Sequence, residues 1–170
     1  MNKVFMLILV VFFSLSSFKN IEAKMRVGVY DSRMVAVWYF NSSDYRESIK
    51  SMMSEMKSAK ESNNIDKQNE LNGRGELMQR VAHDKGFGTG SVAEILSSKK
   101  DIIAKFAKSE KLDLIVSKWE VNFSNENIKL VDITEKLLKA LGADDKIMGY
   151  FKDMKINAPI KNALLLDPRK

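Results

Sequence analysis

Leu112–Leu141 reads LDLIVSKWEVNFSNENIKLVDITEKLLKAL, and the fold turns on how this stretch is divided. Leu112–Val116 is a short, almost continuous apolar run, the pattern of a buried strand. Trp119, Val121 and Phe123 alternate with polar residues, which predicts a second, half-buried strand. Ser124–Asn127 reads as a polar turn, and Ile128 and Leu130 begin a third alternating run. Asp132 or Thr134 can cap a helix, and Asp132 with Glu135 has capping-box spacing. In that helix Ile133, Leu137, Leu138 and Leu141 share one face. The expected core therefore includes Leu114, Trp119, Val121 and Phe123.

Upstream, Met25–Tyr30 is expected as a strand buried against Leu112–Val116. Asp31 or Ser32 can cap a helix over Arg33–Phe40. That helix carries Met34, Val35, Val37, Trp38 and Phe40, which must be buried in the body or in a subunit interface; Val35 and Trp38 are expected in the core, and the surplus of large apolar side chains suggests an oligomer. Asp44 and Glu47 predict a further helix start. The helix from Tyr45 to about Glu61 has one apolar stripe of Tyr45, Ile49, Met52, Met53, Met56 and Ala59. Ser62-Asn63-Asn64 is the expected hairpin tip, with a return helix from Ile65 to about His83. Gly73 and Gly75 each cost about 1 kcal/mol of helix propensity relative to alanine and predict a kink or break.

The order of elements predicts an α+β fold: a small sheet, packed helices and a short projecting helical hairpin over about residues 44–83. LDLIV, a strand ending in VNFS, a turn and VDITEKLLK together resemble the C-terminal part of the Skp/OmpH family of periplasmic chaperones. MRVGVYDSRMVAVWYF, at residues 25–40, is similar to that family's first strand and following helix. The likeness covers about Met25–Phe40 and Ile95–Leu141. It implies a body that assembles as a trimer and holds unfolded or outer-membrane protein clients with its helical arms, with no nucleotide. The family's arms are long coiled tentacles. This hairpin is short and lacks a sustained heptad repeat, so the resemblance implies surface binding rather than enclosure.

The chain has 170 residues and a net charge of +6. Residues 1–23 have the pattern of a signal peptide: Lys3, an uncharged run Val4–Phe18, and a cleavage site at Ile21-Glu22-Ala23. The run is short for a bilayer span, so an uncleaved anchor is the lesser reading. Export to the periplasm, or secretion, is the expectation. The sequence contains no cysteine, which excludes disulfides and thiol catalysis. The positive surplus suits acidic partners or peripheral contact with lipid head groups. Nucleic acid is not expected as a partner, because zinc-finger spacing and an aromatic RNA platform are both missing.

Three candidate sites follow. Met52, Met53 and Met56 form a soft apolar stripe suited to varied clients; the competing reading is packing against the return helix. Asp31, Ser32 and Arg33 follow the first strand, and Ser117, Lys118 and Trp119 follow the strand at Leu112–Val116. If those strands are adjacent and parallel, the two clusters share the C-terminal edge where open sheets bind ligands; the competing reading is two turns and an ion pair. Gly86, Gly88 and Gly90 form G-x-G-x-G, but a helix precedes them and no Lys-Ser/Thr follows, so a phosphate loop is not expected. Phe87 is expected to tuck into the body. The single histidine, His83, cannot make the usual zinc site. No catalytic residue, metal or cofactor is expected. The favoured function is a non-enzymatic holdase; the alternatives are a small ligand-binding or hydrolytic domain at the Asp31/Lys118 edge, or a structural envelope protein. Residues 142–170 are an addition to the resembled body. In them Ile147, Met148, Tyr150, Phe151 and Met154 can pack back, Pro159 stops regular structure, and Ala163–Leu166 is a last apolar run.

Overall fold

A computed structural model of the protein describes residues 24–160; the expected signal segment 1–23 and the run at Ala163–Leu166 lie outside the described residues. The fold is α+β, built on an open three-stranded parallel sheet. Strand β1 (Met25–Tyr30) leads into helix α1 (Ser32–Phe40). The hairpin follows as α2 (Ser43–Glu61) and α3 (Ile65–Phe87). Short helices α4 (Ala93–Ser97) and α5 (Lys100–Ser109) deliver the chain to β2 (Leu114–Ser117). Strand β3 (Ile128–Asp132), α6 (Thr134–Ala140) and α7 (Asp145–Met154) complete it.

β1 lies in the centre and is parallel to both neighbours, with Val27 beside Leu114 and Leu130. The expected adjacency of the first strand and the Leu112–Val116 region is therefore present. The expected strand at Trp119–Phe123 is not. Residues 118–127 are an irregular crossover that carries the chain from one side of β1 to the other. Because β3 pairs with β1, an antiparallel hairpin through Ser124–Asn127 has no partner to join. Period-two alternation marks a stretch that can be half-buried, but it does not supply the neighbouring strand.

This crossover also revises the core. Phe123 is 84% exposed and Leu114 is 51% exposed. Alternation places Gly28, Tyr30, Ile115 and Val131 on one sheet face, and that face meets the helices. Gly28 is needed there: a Cβ on it would come within 2.8 Å of the Ile133 side chain and 2.9 Å of Leu112. Met34, Val35, Leu137, Leu138, Ile147 and Phe151 fill the helix layer above. The apolar surplus of Arg33–Phe40 is thus absorbed internally, with Met34, Val35 and Ala36 fully buried. Helix α1 therefore does not demand a subunit interface. Ile147 and Phe151 bring α7 into the same core.

The hairpin follows expectation at its ends. Ser42 Oγ, rather than Asp44, caps α2 by accepting from the Tyr45 amide. Asn63, with φ of 51°, makes the tip, and Asn64 Oδ1 caps α3 through the Lys67 amide. Gly73 and Gly75 do not break α3, which is continuous to Phe87. Their propensity cost is outweighed by packing along α2, where Ala59 and Leu71 are buried. At ~1.5 Å per residue the two arms span roughly 28 and 34 Å. Tyr39, Phe40 and Tyr45, with ring centroids 4.9–5.6 Å apart, pack at the hairpin's root.

The core assignment is testable by denaturant melts. Leu137→Ala, at a fully buried position, should cost about 2–5 kcal/mol. Phe123→Ala, on the exposed crossover, should stay within about 0.5 kcal/mol. Comparable losses would mean that the crossover is part of the core.

Candidate functional site

The parallel pairing of β1 and β2 places Asp31 and Lys118 side by side at the C-terminal edge of the sheet. The Lys118 amide donates to the Tyr30 carbonyl at 2.8 Å, which holds the two strand exits together. Asp31 is 2% exposed, and its carboxylate accepts from several donors. Oδ1 takes Arg33 Nε at 3.0 Å, the Arg33 amide at 3.1 Å and Trp119 Nε1 at 3.2 Å. Oδ2 takes Arg33 Nη2 at 2.7 Å and Lys118 Nζ at 2.9 Å. The Arg33 guanidinium and the Lys118 ammonium also approach the Trp119 ring, at 5.0 and 4.4 Å from its centroid.

Arg33 is equally enclosed. Its Nη1 donates to the Asn157 carbonyl at 2.9 Å, and Nη2 is 3.4 Å from the Met154 carbonyl. The end of α7 therefore closes over the edge. From the other side the Asp31 amide donates to Thr134 Oγ1, which in turn donates to Asp132 Oδ1. The predicted cluster is thus assembled, but its polar groups are turned on one another. Ser117 is buried, with its Oγ 3.4 Å from the Trp119 amide. Ser32 is also buried and does not join: its Oγ is the one buried side-chain polar atom without a partner among the described residues. The contributions of Thr134, Met154 and Asn157 were missed by sequence reasoning. Backbone carbonyls carry no side-chain signal, and Thr134 read only as a cap.

Electrostatics favour the charged form of Asp31. Burial alone would raise its carboxyl, but the hydrogen bonds and positive charges of Arg33 and Lys118 outweigh that and hold it below the usual carboxylate range. Nearby Tyr30 is pushed up to about 12, chiefly by burial and then by the negative charge of Glu120. Of the three paired charges, Asp31 and Arg33 are buried, and Lys118 keeps part of its side chain exposed.

The second candidate has the opposite character. An open groove of about 540 Å³ runs between α2 and α3, lined by Met52, Met53, Met56, Leu71 and Gly75, with Lys57, Lys60, Glu61, Asn72 and Glu76 around them. Met53 is 65% exposed, whereas Met52 and Met56 are half-buried. A Cβ on Gly75 would lie 3.9 Å from the end of Met52, so the glycine keeps the groove wide at that level. Leu71 is its buried floor.

The glycine run has no anion cradle. The amides of Gly88 and Gly90 both donate to the Asp84 carbonyl, ending α3. Helix C-termini present carbonyls, which repel phosphate. Phe87 is 48% exposed, contrary to its expected burial. His83 packs edge-on to Phe87 at 5.7 Å between ring centroids. Among the described residues no cluster of three or more His, Cys, Asp or Glu could hold a metal, and no helix is long and apolar enough to cross a membrane. No family model, curated protein or solved structure matches the chain.

The Asp31 tie makes a definite forecast. Asp31→Asn leaves Arg33 buried without its counter-charge and should cost about 3–5 kcal/mol in a urea melt. The pH dependence follows from the lowered carboxyl. Below about pH 3.9 the unfolded chain takes up a proton that the folded chain still resists. The contribution of Asp31 is therefore complete above that pH and is lost as pH falls through the lower folded value. The gap between wild type and Asp31→Asn should narrow on that acid limb; a gap that widens there would assign the network a different charge state.

Proposed function

We propose that the protein is a non-enzymatic holdase that shields exposed apolar segments of unfolded or outer-membrane proteins, using the groove of its helical hairpin. The observation that carries this reading is the open apolar groove lined by Met52, Met53 and Met56. Methionine is unbranched and polarizable, so such a wall adapts to varied apolar side chains without a fixed pocket. The lysines beside it, Lys57 and Lys60, add attraction for acidic segments, and salt weakens that part. The Asp31 cluster favours this reading over a ligand-binding or hydrolytic edge, because its Asp31, Arg33 and Lys118 charges are paired with one another.

The proposal keeps the resemblance to Skp/OmpH-type periplasmic chaperones, including an exported chain and a trimeric homo-oligomer. Arms of roughly 28–34 Å support contact at the surface of a client rather than enclosure of it. Self-association has a different basis from the one expected at α1: the sheet face bearing Met25, Leu114 and Leu130 leaves those side chains 41–51% exposed, whereas parallel sheets are ordinarily covered on both faces.

Two measurements test the proposal. Light scattering of an unfolded outer-membrane protein should show suppressed aggregation in the presence of the chain. Replacing Met52, Met53 and Met56 by serine, with the fold verified by circular dichroism, should abolish most of that suppression. No suppression by a folded wild-type protein would sink the holdase reading. Assembly mass from light scattering after size exclusion decides the oligomer in the same samples. Separately, N-terminal sequencing of the envelope fraction should find Lys24 first; recovery of the intact chain from the cytoplasm would refute export.

A further inference from the structure

Where the hairpin joins the body lies a cavity that shares no lining residue with the methionine groove. It encloses about 360 Å³, within the range of about 300–1,000 Å³ typical of small-molecule sites. One wall is aromatic. The short turn at Asn41 and Ser42 between α1 and α2 brings Tyr39 and Phe40 against Tyr45, with ring centroids 4.9–5.6 Å apart. A second wall comes from α3, where helical spacing puts Leu77, Met78 and Val81 on the cavity. Buried Ile95 of α4 completes the apolar lining.

Two charged residues, Lys85 and Glu94, stand on this lining. Their settings differ: the Lys85 side chain is 18% exposed and that of Glu94 is 94% exposed. They approach only to 4.0 Å, and so solvated a pair contributes little. Lys85 is thus a largely enclosed cation whose carboxylate neighbour stands in solvent. We propose that the cavity binds a small amphiphilic carboxylate, with its apolar tail or ring against Tyr45, Leu77 and Val81 and its carboxylate paired with Lys85. Charge complementarity selects the anion. An ammonium ligand would meet the Lys85 charge, and the three rings pack on one another too closely to admit a cation between them, as an aromatic cage does. An uncharged ligand would strip water from Lys85 without replacing it by a partner. A protein C-terminus carries the same carboxylate, but its peptide groups would be buried against apolar walls with few partners. That favours a plain hydrocarbon acid. The site is independent of the holdase reading, because it uses none of the groove methionines.

Decanoate, titrated into the protein by calorimetry below its micellar range, tests the site. It should bind saturably at one site, and the amide resonances of Tyr45 and Val81 should shift with occupancy. Lys85→Gln should weaken decanoate about tenfold and leave 1-decanol, which has no charge to pair, little changed. Leu77→Glu, at an exposed position on the cavity, should also weaken decanoate through like-charge repulsion, and it decides the matter if Lys85→Gln does not fold. Absence of saturable binding, or affinity that survives both substitutions, would overturn the proposal. Shifts at Met52, Met53 and Met56 instead of Tyr45 and Val81 would place the acid in the groove and overturn it as well. A peptide with an apolar C-terminal residue that binds this cavity more tightly than decanoate would assign it to a protein chain end, against the small-molecule reading.

Discussion

The buried carboxylate of Asp31 is the constraint on which the body depends. It sits where β1 ends and α1 begins, and it caps that helix through the Arg33 amide. Through Lys118 and Trp119 it holds the exit of β2, and through Arg33 it reaches the carbonyls that end α7. One residue thus links three parts of the chain that are far apart in sequence. A buried charge is tolerated only when it is paired and its hydrogen-bonding capacity is filled. Asp31 meets both conditions, and Trp119 adds an aromatic face to the two cations. The edge of a parallel sheet that in many proteins holds a ligand is here filled by the protein's own side chains.

The hairpin obeys different physics. It projects from the body on two helices whose mutual contact rests on small or flexible residues, with Ala59 and Leu71 buried between them. Methionines line the space that remains. A wall of this kind has several rotamer arrangements of similar energy, so it can reshape around a partner at small cost. The aromatic cluster at the root anchors these arms to α1, and so to the centre of the body. A rigid base and a soft arm divide the tasks: the base defines position, and the arm supplies adaptable apolar surface.

The sheet is small for the apolar surface it carries. One face is covered by α1, α6 and α7. On the other, Val27 is buried but Met25, Leu114 and Leu130 stay exposed. In the β2–β1–β3 order both outer strands are also edges. These features make the sheet the part of the molecule with most unmet contact, and any further strand, tail or copy that joins the protein has its best opportunity there.

By itself, the sequence determined the local elements whose signals are short in range. Periodicity placed β1, α1 and the α6 helix, Asp31 caps α1 as expected while Ile133 opens α6 without a side-chain cap, and the polar tip Ser62-Asn63-Asn64 separated two helices. The pairing of Asp31 with Lys118 was also legible, since it needed only two adjacent parallel strands. What tertiary structure alone decided was the use of those elements. Trp119, Val121 and Phe123 alternate like a strand, but β3 takes the place beside β1, so that alternation has no ladder to join. Gly73 and Gly75 weaken a helix in isolation, yet α3 continues because α2 packs along it. The ligand edge is closed by carbonyls of Met154 and Asn157, more than 120 residues away from Arg33. Propensity and spacing act over a few residues, whereas burial depends on which distant surfaces meet, and only the folded chain brings those surfaces together.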